Sequence, residues 1–488
     1  MFDFWDIDAW SLIITTAILL AAMLIANILR RYIKFLRIMM FPSALLGGFL
    51  VLGADAIFKA ATGSSMFSGN TLEYLTYHGL GLGFVALALK WGGEKKASKE
   101  RSREIFDSGI AMVGIYVVQG ILGLAITLSL FPVIDGIFPA SGLLLAMGYG
   151  QGPGQAFNWG QIYQRLGFEN GASFGLTIAA MGLISASIGG CIYYATMRRR
   201  GRFAKGGTHE HADENSGETA DAADEIPMSE SMDKLTVQIA LVAIVYALTF
   251  GLMYGLFELF KAINPDPSSF LLKTVNPLIW GFNFLIGTIV ALIVRAIMKK
   301  LYAKGVMKRK YTNDFMLSRL GGFFFDLMVV ASIAAIKLEA FTHAEFIIPL
   351  TLICVLGAVV TYFYTDVIAK KVFPNYADEQ FLALWGNGAG TASTGVILVR
   401  EVDPSFKTPA VMNTVYMPVW AIVFGFPMLL FMGLAPDPLW GNPNGMAWLT
   451  FAVLIVYFVA INLILFRKQI FKKRKKPADN ENAGTVPE

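Results

Sequence analysis

The sequence predicts an all-α polytopic membrane protein with two inverted-topology repeats of five transmembrane helices, each containing a re-entrant hairpin, and one extra C-terminal helix. Composition, apolar runs and a repeated motif carry this prediction. Of the 488 residues, 55% are hydrophobic and only 15% are charged. A soluble chain of this length needs far more charge on its surface. Apolar runs recur along nearly the whole chain, and a glycine-rich motif occurs once in each half.

The apolar runs are long enough for transmembrane helices, because about 20 helical residues cross a hydrocarbon core of about 30 Å. In the first half, the predicted spans are residues 10–29, 38–60, 72–90, 108–131 and 171–195. In the second half, they are residues 236–260, 277–297, 320–338, 345–369, 408–434 and 446–466. The segment from Met1 to Trp10 has aspartates and no basic residue, so we expect the first run to be a retained span.

Clusters of basic residues between the apolar runs set the predicted orientation, because cytoplasmic loops are enriched in Lys and Arg. These clusters are Arg30–Arg37, Lys90–Arg103, Arg198–Arg202, Lys299–Lys310, Lys370 with Lys371, and Arg467–Lys476. All of them are cytoplasmic only if two glycine-rich segments, residues 140–167 and 379–400, each enter and leave the membrane on one face. We therefore predict that both segments are re-entrant hairpins.

The hairpins give the two halves the same order of elements in opposite orientations: four spans, a hairpin and a fifth span. The first repeat is predicted at residues 1–197 and the second at residues 235–434. Between them, residues 198–234 are rich in Gly, Glu and Asp without periodicity, which is typical of a flexible cytoplasmic linker. Residues 435–488 are predicted to add the extra helix and a basic cytoplasmic tail.

The glycine-rich motif has the form Gly-amide-Gly-x-Gly-polar-Ala and occurs at Gly150–Ala156 and Gly386–Ala392. Glycine at every second position disfavours a helix, because each one costs backbone entropy. At membrane depth, broken backbone is tolerated only where it is buried in protein or lines a watery cavity. Two such interrupted segments at corresponding places in two halves indicate the binding site of a transporter.

The tips of the two hairpins are predicted to bind a cation and an anionic solute. Unwound backbone offers carbonyl oxygens to Na⁺, and the helix after each tip presents N–H groups to a carboxylate. The expected substrate-binding residues are Gly150, Gln151, Gly152, Gly154, Gln155, Gly386, Asn387, Gly388, Gly390, Thr391, Ser393, Thr394 and Arg400. For Arg400, bidentate contact with a substrate carboxylate and ordinary placement in a cytoplasmic loop are both open.

Three further residues are candidates for the Na⁺ site. Asp326 is the acid that lies deepest in a predicted span, where a charge costs about 2.5–3.5 kcal/mol on insertion scales. It either binds a cation or pairs with Lys337 or Arg400; alternatively, the span begins later and Asp326 caps its first turn. Asn413 and Thr414 follow the second hairpin and either complete an ion site or are polar packing residues.

Other functions fit the motif less well. A nucleotide-binding loop needs a preceding strand and usually a Lys-Ser or Lys-Thr pair, which neither copy has. Gly148-Tyr149-Gly150 is similar to a potassium-channel filter, but a filter needs four like-oriented copies. Close helix packing through glycine fits the pairs Gly47-Gly48, Gly189-Gly190 and Gly321-Gly322 better than the tips.

Several segments together resemble the bacterial sodium/glutamate symporter family. They are Phe41–Gly48, the first hairpin followed by Arg165–Asn170, and the second hairpin, within a resemblance that covers most of residues 10–434. The resemblance implies a dimeric inner-membrane transporter of five-plus-five inverted repeats that couples amino-acid uptake to Na⁺. Family members carry a histidine in the first tip, where this chain has Gln151, Pro153 and Gln155, so transport is implied more strongly than glutamate itself.

We therefore expect Na⁺-coupled symport of a small carboxylate solute by alternating access, with glutamate or a related amino acid as the first expectation. A hydroxycarboxylate or other organic-acid carrier and a re-entrant-loop channel are the alternatives. Expected partners are the solute, Na⁺, membrane lipid and a second copy of the chain. The net charge of +5 lies in short clusters, so no nucleic acid is expected. No catalytic pairing or metal-ligand spacing indicates an enzyme or a resident cofactor.

Overall fold

The computed structural model describes residues 7–67, 69–91, 98–201, 233–267, 269–404 and 407–470. These residues form helices and connecting turns, with no β-strand among them. Most of the predicted linker at 198–234 and the tail beyond residue 470 lie outside the described residues.

The described residues of the first half form seven helices. They are α1 (Ile7–Tyr32), α2 (Lys34–Ile38), α3 (Ser43–Thr62), α4 (Thr71–Ala88), α5 (Lys99–Leu130), α6 (Pro153–Arg165) and α7 (Gly171–Arg199). Between α5 and α6 lie a 3₁₀ turn at Pro139–Leu143 and a π-helical turn at Ala146–Gln151.

The second half contains the remaining helices of the described chain. They are α8 (Lys234–Ile263), α9 (Asn276–Gly281), α10 (Asn283–Ala303), α11 (Asp314–Ala334), α12 (Ala344–Val372), α13 (Ala377–Ala389), α14 (Ala392–Arg400), α15 (Ala410–Tyr416), α16 (Pro418–Leu434), α17 (Gly445–Leu465) and α18 (Arg467–Ile470). A π-helical turn at Leu271–Val275 precedes α9, and 3₁₀ turns occupy Leu338–Thr342 and Pro374–Tyr376.

Eight helices within the described ranges are long and apolar enough to cross a membrane: α1, α3, α5, α7, α8, α11, α12 and α17. Two bent helix pairs raise the total to 10 if each pair is one span: Leu271–Gly281 with α10, bent by 63°, and α15 with α16, bent by 52°. The prediction of an all-α polytopic membrane protein is therefore confirmed. The predicted span at 72–90 forms α4, which is not among these candidates.

Two large hydrophobic cores organise the helices. One core is formed by α5, α12, α16 and α17 around the two glycine-rich segments. The other is formed by α1, α3, α4 and α11. Helix α7 belongs to both, because Phe174 and Ile178 lie in the first core whereas Leu176 and Ala180 lie in the second. This helix therefore joins the glycine-rich segments to the rest of the protein.

Glycines allow the central helices to pack at short range. A Cβ atom built at Gly83 of α4 would lie 2.6 Å from the ring of Phe325 in α11, and one at Gly79 would lie 3.1 Å from the Phe324 carbonyl oxygen. On α5, a Cβ at Gly123 would lie 1.9 Å from the Gly142 carbonyl oxygen. Small residues at such interfaces let helix backbones approach closely, which is how membrane helices gain van der Waals contact.

Candidate functional site

The first glycine-rich segment folds back on itself as a hairpin. Its beginning and end lie side by side, since the ring of Phe138 is 5.4 Å from that of Tyr163 and is stacked 5.2 Å from that of Phe168. The reversal occurs at Gly152, which separates the π-helical turn from α6. Gly152 has a φ of +83°, a conformation that favours glycine. Residues 139–165 are called the first hairpin below.

The second glycine-rich segment is a hairpin of α13 and α14, residues 377–400. The two helices are in backbone contact, since a Cβ at Gly386 would lie 2.5 Å from the Cα of Gly395. The chain reverses at Gly390 and Thr391. Thr391 caps α14, because its hydroxyl oxygen accepts a hydrogen bond from the Thr394 N–H at 3.3 Å.

The alternating glycines were expected to prevent a helix throughout each motif, and this expectation is wrong. Helix α13 continues through Gly386 and Gly388 to Ala389, and Gly154 lies inside α6. Their role there is close packing, with Gly388 against Ile115 of α5 and Gly154 against Leu80 and Met328. This packing outweighs the cost of glycine in a helix, which is about 1 kcal/mol per residue relative to alanine. Only Gly152 and the Gly390-Thr391 pair leave the helical path.

The two hairpins meet tip to tip. A Cβ atom at Gly152 would lie 3.5 Å from Cγ2 of Thr391 and 3.6 Å from the carbonyl oxygen of Gly390. Both tips also contact Gly182 of α7, where a Cβ would lie 2.5 Å from the Ala389 carbonyl oxygen and 2.9 Å from the Tyr149 ring. The glycine tips predicted in separate halves are therefore one contiguous site.

The hairpins reach this site from opposite ends of α7. Ala156 of the first hairpin lies at Gly175, and Gly160 lies at Gly171, near the beginning of α7. In the second hairpin, Trp385 lies at Gly189. Closer to the end of α7, the Tyr193 hydroxyl donates to the Asp378 carboxylate at 2.8 Å. The order of contacts along α7 thus runs from the base of one hairpin, through both tips, to the base of the other.

Gln119 of α5 joins the two tips and was missed by the sequence analysis. Its side-chain N–H group donates to the Gly388 carbonyl at 2.8 Å and to the Thr361 hydroxyl of α12 at 3.0 Å. The Gly388 carbonyl is among the last four of α13, which have no intrahelical partner, so Gln119 caps this helix. A Cβ at Gly150 would lie 3.0 Å from Oε1 of Gln119. A lone glutamine in an apolar span was the available signal.

Buried polar atoms at the first tip have no hydrogen-bond partner among the described residues. They are Oε1 of Gln119 and both Oε1 and Nε2 of Gln155. Gln119 is 0% exposed and Gln155 is 2% exposed. A buried amide without a partner costs about 1–3 kcal/mol, so such groups normally meet a water, an ion or a ligand. In addition, α6 begins at Gly152 without a side-chain cap.

The remaining tip residues differ in exposure. Gln151, Asn387 and Thr391 are half-buried, and Ser393 is exposed, whereas Thr394 is buried beneath the Thr391 cap. Arg400 does not belong to the tip. It is the last residue of α14, about 12 Å along the helix from Ala392, and is exposed at the base of the hairpin. Arg400 therefore lies away from the tips in this structure, and its contact with a substrate carboxylate stays a prediction.

The structure does not bring the three predicted Na⁺ ligands together. The Asn413 amide donates to Oε1 of Gln380 at 2.9 Å and to the Tyr376 hydroxyl at 3.2 Å, both at the base of the second hairpin. The Thr414 hydroxyl donates to the Ala410 carbonyl of its own helix. Two roles were open for both residues, an ion site or polar packing. In the structure they pack at the base of the second hairpin, because helix α13 separates Gln380, the partner of Asn413, from the tip.

Asp326 is not a helix cap. Helix α11 begins at Asp314 and is capped by Asn313, whose side chain accepts from the Met316 N–H at 2.8 Å. Asp326 lies in the middle of α11 and is exposed on the surface of the protein. Within the described ranges it forms no ion pair with Lys337 or Arg400, so that expectation is also wrong. Among the described residues, this carboxylate in a candidate membrane span has no counter-charge.

We expect Gln119→Leu to lower the free energy of unfolding by about 1–3 kcal/mol, because the Gly388 carbonyl at the end of α13 loses its donor. Thermal and denaturant unfolding of the detergent-solubilised protein measures this change. The matched control is Gln161→Leu, which removes a half-buried amide that donates to Glu73 at 3.1 Å. Its cost should be smaller, because Gln161 and Glu73 are only half-buried and water can replace the lost donor. Equal losses in the two variants would contradict the capping role of Gln119.

Comparison of the chain with models of known families, with curated proteins and with solved structures gives no match.

Proposed function

We propose that the protein is a Na⁺-coupled secondary transporter of a small carboxylate solute, with glutamate or a related amino acid as the first candidate, acting by alternating access. The observation that carries this proposal is the meeting of the tips, Gly152 with Gly390 and Thr391. Beside them, Oε1 of Gln119 and the Gln155 amide have no hydrogen-bond partner among the described residues. Paired interrupted segments of this kind form the substrate and ion sites of many inverted-repeat transporters.

The depth of the site supports this proposal. Along α7, Gly171 contacts the base of the first hairpin, Gly182 contacts both tips and Tyr193 contacts the base of the second. Each step is 11 residues of helix, or about 16 Å, and the two together match a hydrocarbon core of about 30 Å. We propose that each hairpin enters halfway from its own face, that the site lies near the midplane, and that the two halves are inverted repeats.

The chemistry at the tips suits a neutral site for a zwitterion or an anion with Na⁺. The first turn of α6 offers N–H groups at the positive end of the helix dipole, which favours a carboxylate. Side-chain oxygens of Gln119, Gln155 and Thr391, with backbone carbonyls of the tips, are hard ligands that suit Na⁺. We propose that Gln151, Asn387 and Ser393, which are half-buried or exposed, contact the solute.

Hairpins that enter from opposite faces predict a specific labelling pattern, to be measured in a variant without the two native cysteines. Single cysteines at Asp135 and Glu169, which flank the first hairpin, should both react from the outside. Those at Lys370 and Lys407, which flank the second, should both react from the cytoplasm, because basic loops remain inside. Opposite-side reaction of Asp135 and Glu169 would show that the first hairpin crosses the membrane.

The transport proposal predicts saturable uptake of a labelled carboxylate into proteoliposomes only when a Na⁺ gradient is imposed. Gly388→Val should reduce this uptake at least tenfold, because a Cβ there would already lie 3.0 Å from Ile115 and would displace the second tip. The control is Gly251→Val in α8, where nothing lies within 4 Å. Ion conductance without accumulation of any labelled carboxylate tested would indicate a channel and contradict the proposal.

We also propose that Asp326 attracts the coupling cation, because it is a carboxylate in a candidate span with no ion pair among the described residues. Asp326→Asn should raise the Na⁺ concentration for half-maximal uptake at least tenfold, while solute affinity at saturating Na⁺ changes little. Sodium-activation curves measure both quantities. The control Asp366→Asn removes a carboxylate that is paired with Lys370 at 2.6 Å and should leave the curve unchanged. A wild-type curve for Asp326→Asn would remove this residue from the site.

A further inference from the structure

A polar cleft of about 1030 Å³ lies between the ends of three long helices. Its walls are the first two turns of α5, the end of α12 with the turn that precedes α13, and the junction of α17 with α18. We propose that this cleft binds a phosphate-bearing anion and that its source is the head group of an anionic phospholipid. The inference does not depend on what the protein transports.

The cleft carries an excess of positive charge. Among the described residues, five basic and three acidic side chains line it, an excess of two positive charges. The basic residues are Lys99, Arg103, Lys371, Arg467 and Lys468, and the acidic residues are Glu100, Glu104 and Asp107.

Two of the three carboxylates are already neutralised by ion pairs. Asp107 is 3% exposed, and its oxygens lie 2.6 Å from the Arg467 guanidinium and 3.8 Å from the Lys468 ammonium. Glu104 lies 3.0 Å from the guanidinium of Arg101. A buried carboxylate held by two cations does not repel an anion as a free one does. An anionic ligand would therefore meet the remaining cations of the cleft with little repulsion from carboxylates.

Three cations are available to that ligand. Within the described residues, Lys99, Arg103 and Lys371 form no ion pair with a carboxylate. Lys99 and Arg103 are exposed, about one helical turn apart at the beginning of α5. Lys371, at the end of α12, lines the same cleft, and its ammonium lies 5.8 Å from the centre of the Phe466 ring. Guanidinium and ammonium groups converging from two helices form the usual recognition pattern for phosphate oxygens.

The position of the cleft favours lipid as the source of the phosphate. Helices α5, α12 and α17 are all candidate membrane spans, and the cleft lies at their ends, where lipid head groups lie in a bilayer. Basic pockets between transmembrane helices are known binding sites for anionic head groups. A bound head group would bridge α17, which is outside the two proposed repeats, to α5 and to the turn that begins the second hairpin.

Native mass spectrometry of the intact detergent-solubilised chain tests this site, with phosphatidylglycerol and phosphatidylcholine as probes. We expect phosphatidylglycerol to bind at least tenfold more tightly than phosphatidylcholine. Arg103→Gln with Lys371→Gln should weaken phosphatidylglycerol binding about 25-fold, at about fivefold per charge, and leave phosphatidylcholine unchanged. The control is Lys370→Gln, whose side chain pairs with Asp366 and does not line the cleft.

A gain of affinity gives a second test that does not rely on a damaged protein. Glu100→Gln removes an exposed carboxylate from the cleft and should tighten phosphatidylglycerol binding about fivefold. Inorganic phosphate and glycerol phosphate, added as competitors, distinguish the sources: millimolar displacement of the lipid would assign the site to a soluble phosphate and overturn the lipid source. Wild-type binding in both the double variant and Glu100→Gln would overturn the site itself.

Discussion

The close approach of helix α7 to both hairpin tips at Gly182, through the Ala389 carbonyl and the Tyr149 ring, is the constraint on which the rest of the structure depends. Both hairpin tips lie against this residue of α7, where a Cβ would be 2.5 Å from one tip and 2.9 Å from the other. A larger residue there would separate the tips from the helix that connects the two hydrophobic cores. The glycines of α5 and α13 have the same effect at neighbouring contacts. Small residues thus fix the position of the breaks, and the breaks expose the polar backbone.

Broken helices inside a membrane protein leave carbonyl and N–H groups that need partners. The protein meets this need unevenly. Gln119 caps the end of α13, and Thr391 caps the beginning of α14, whereas α6 begins at Gly152 without a side-chain cap. The Gln155 amide beside it also has no protein partner in the described chain. The second tip is therefore largely satisfied by protein, whereas the first tip keeps buried polar atoms without a partner in the described chain.

The polar groups away from the tips hold the framework. Asn413, Gln380 and Tyr376 form a hydrogen-bonded cluster at the base of the second hairpin, and Asp107 joins α5 to Arg467 after α17. Pairing keeps the cost of burying such groups low, because an unpaired buried carboxylate is far more expensive than a paired one. These contacts anchor the base of the second hairpin and join the end of α17 to α5.

The sequence by itself determined the helical membrane class, the spans other than α4 and the two places where the chain reverses, because hydropathy and glycine spacing are local properties. It did not determine which polar residues share a site. Gln119 and Gly388 are separated by 269 positions and meet only through the packing of α5 on α13. Arg400, Asn413 and Thr414 follow the second tip in sequence, but they lie at the base of the hairpin. Helix α14, of 9 residues, carries the chain from the tip to Arg400. Helix α13, of 13 residues, separates the tip from the base that Asn413 contacts. Tertiary packing also decided that Gly386 and Gly388 remain helical, because close contact with α14 and α5 outweighs their intrinsic propensity.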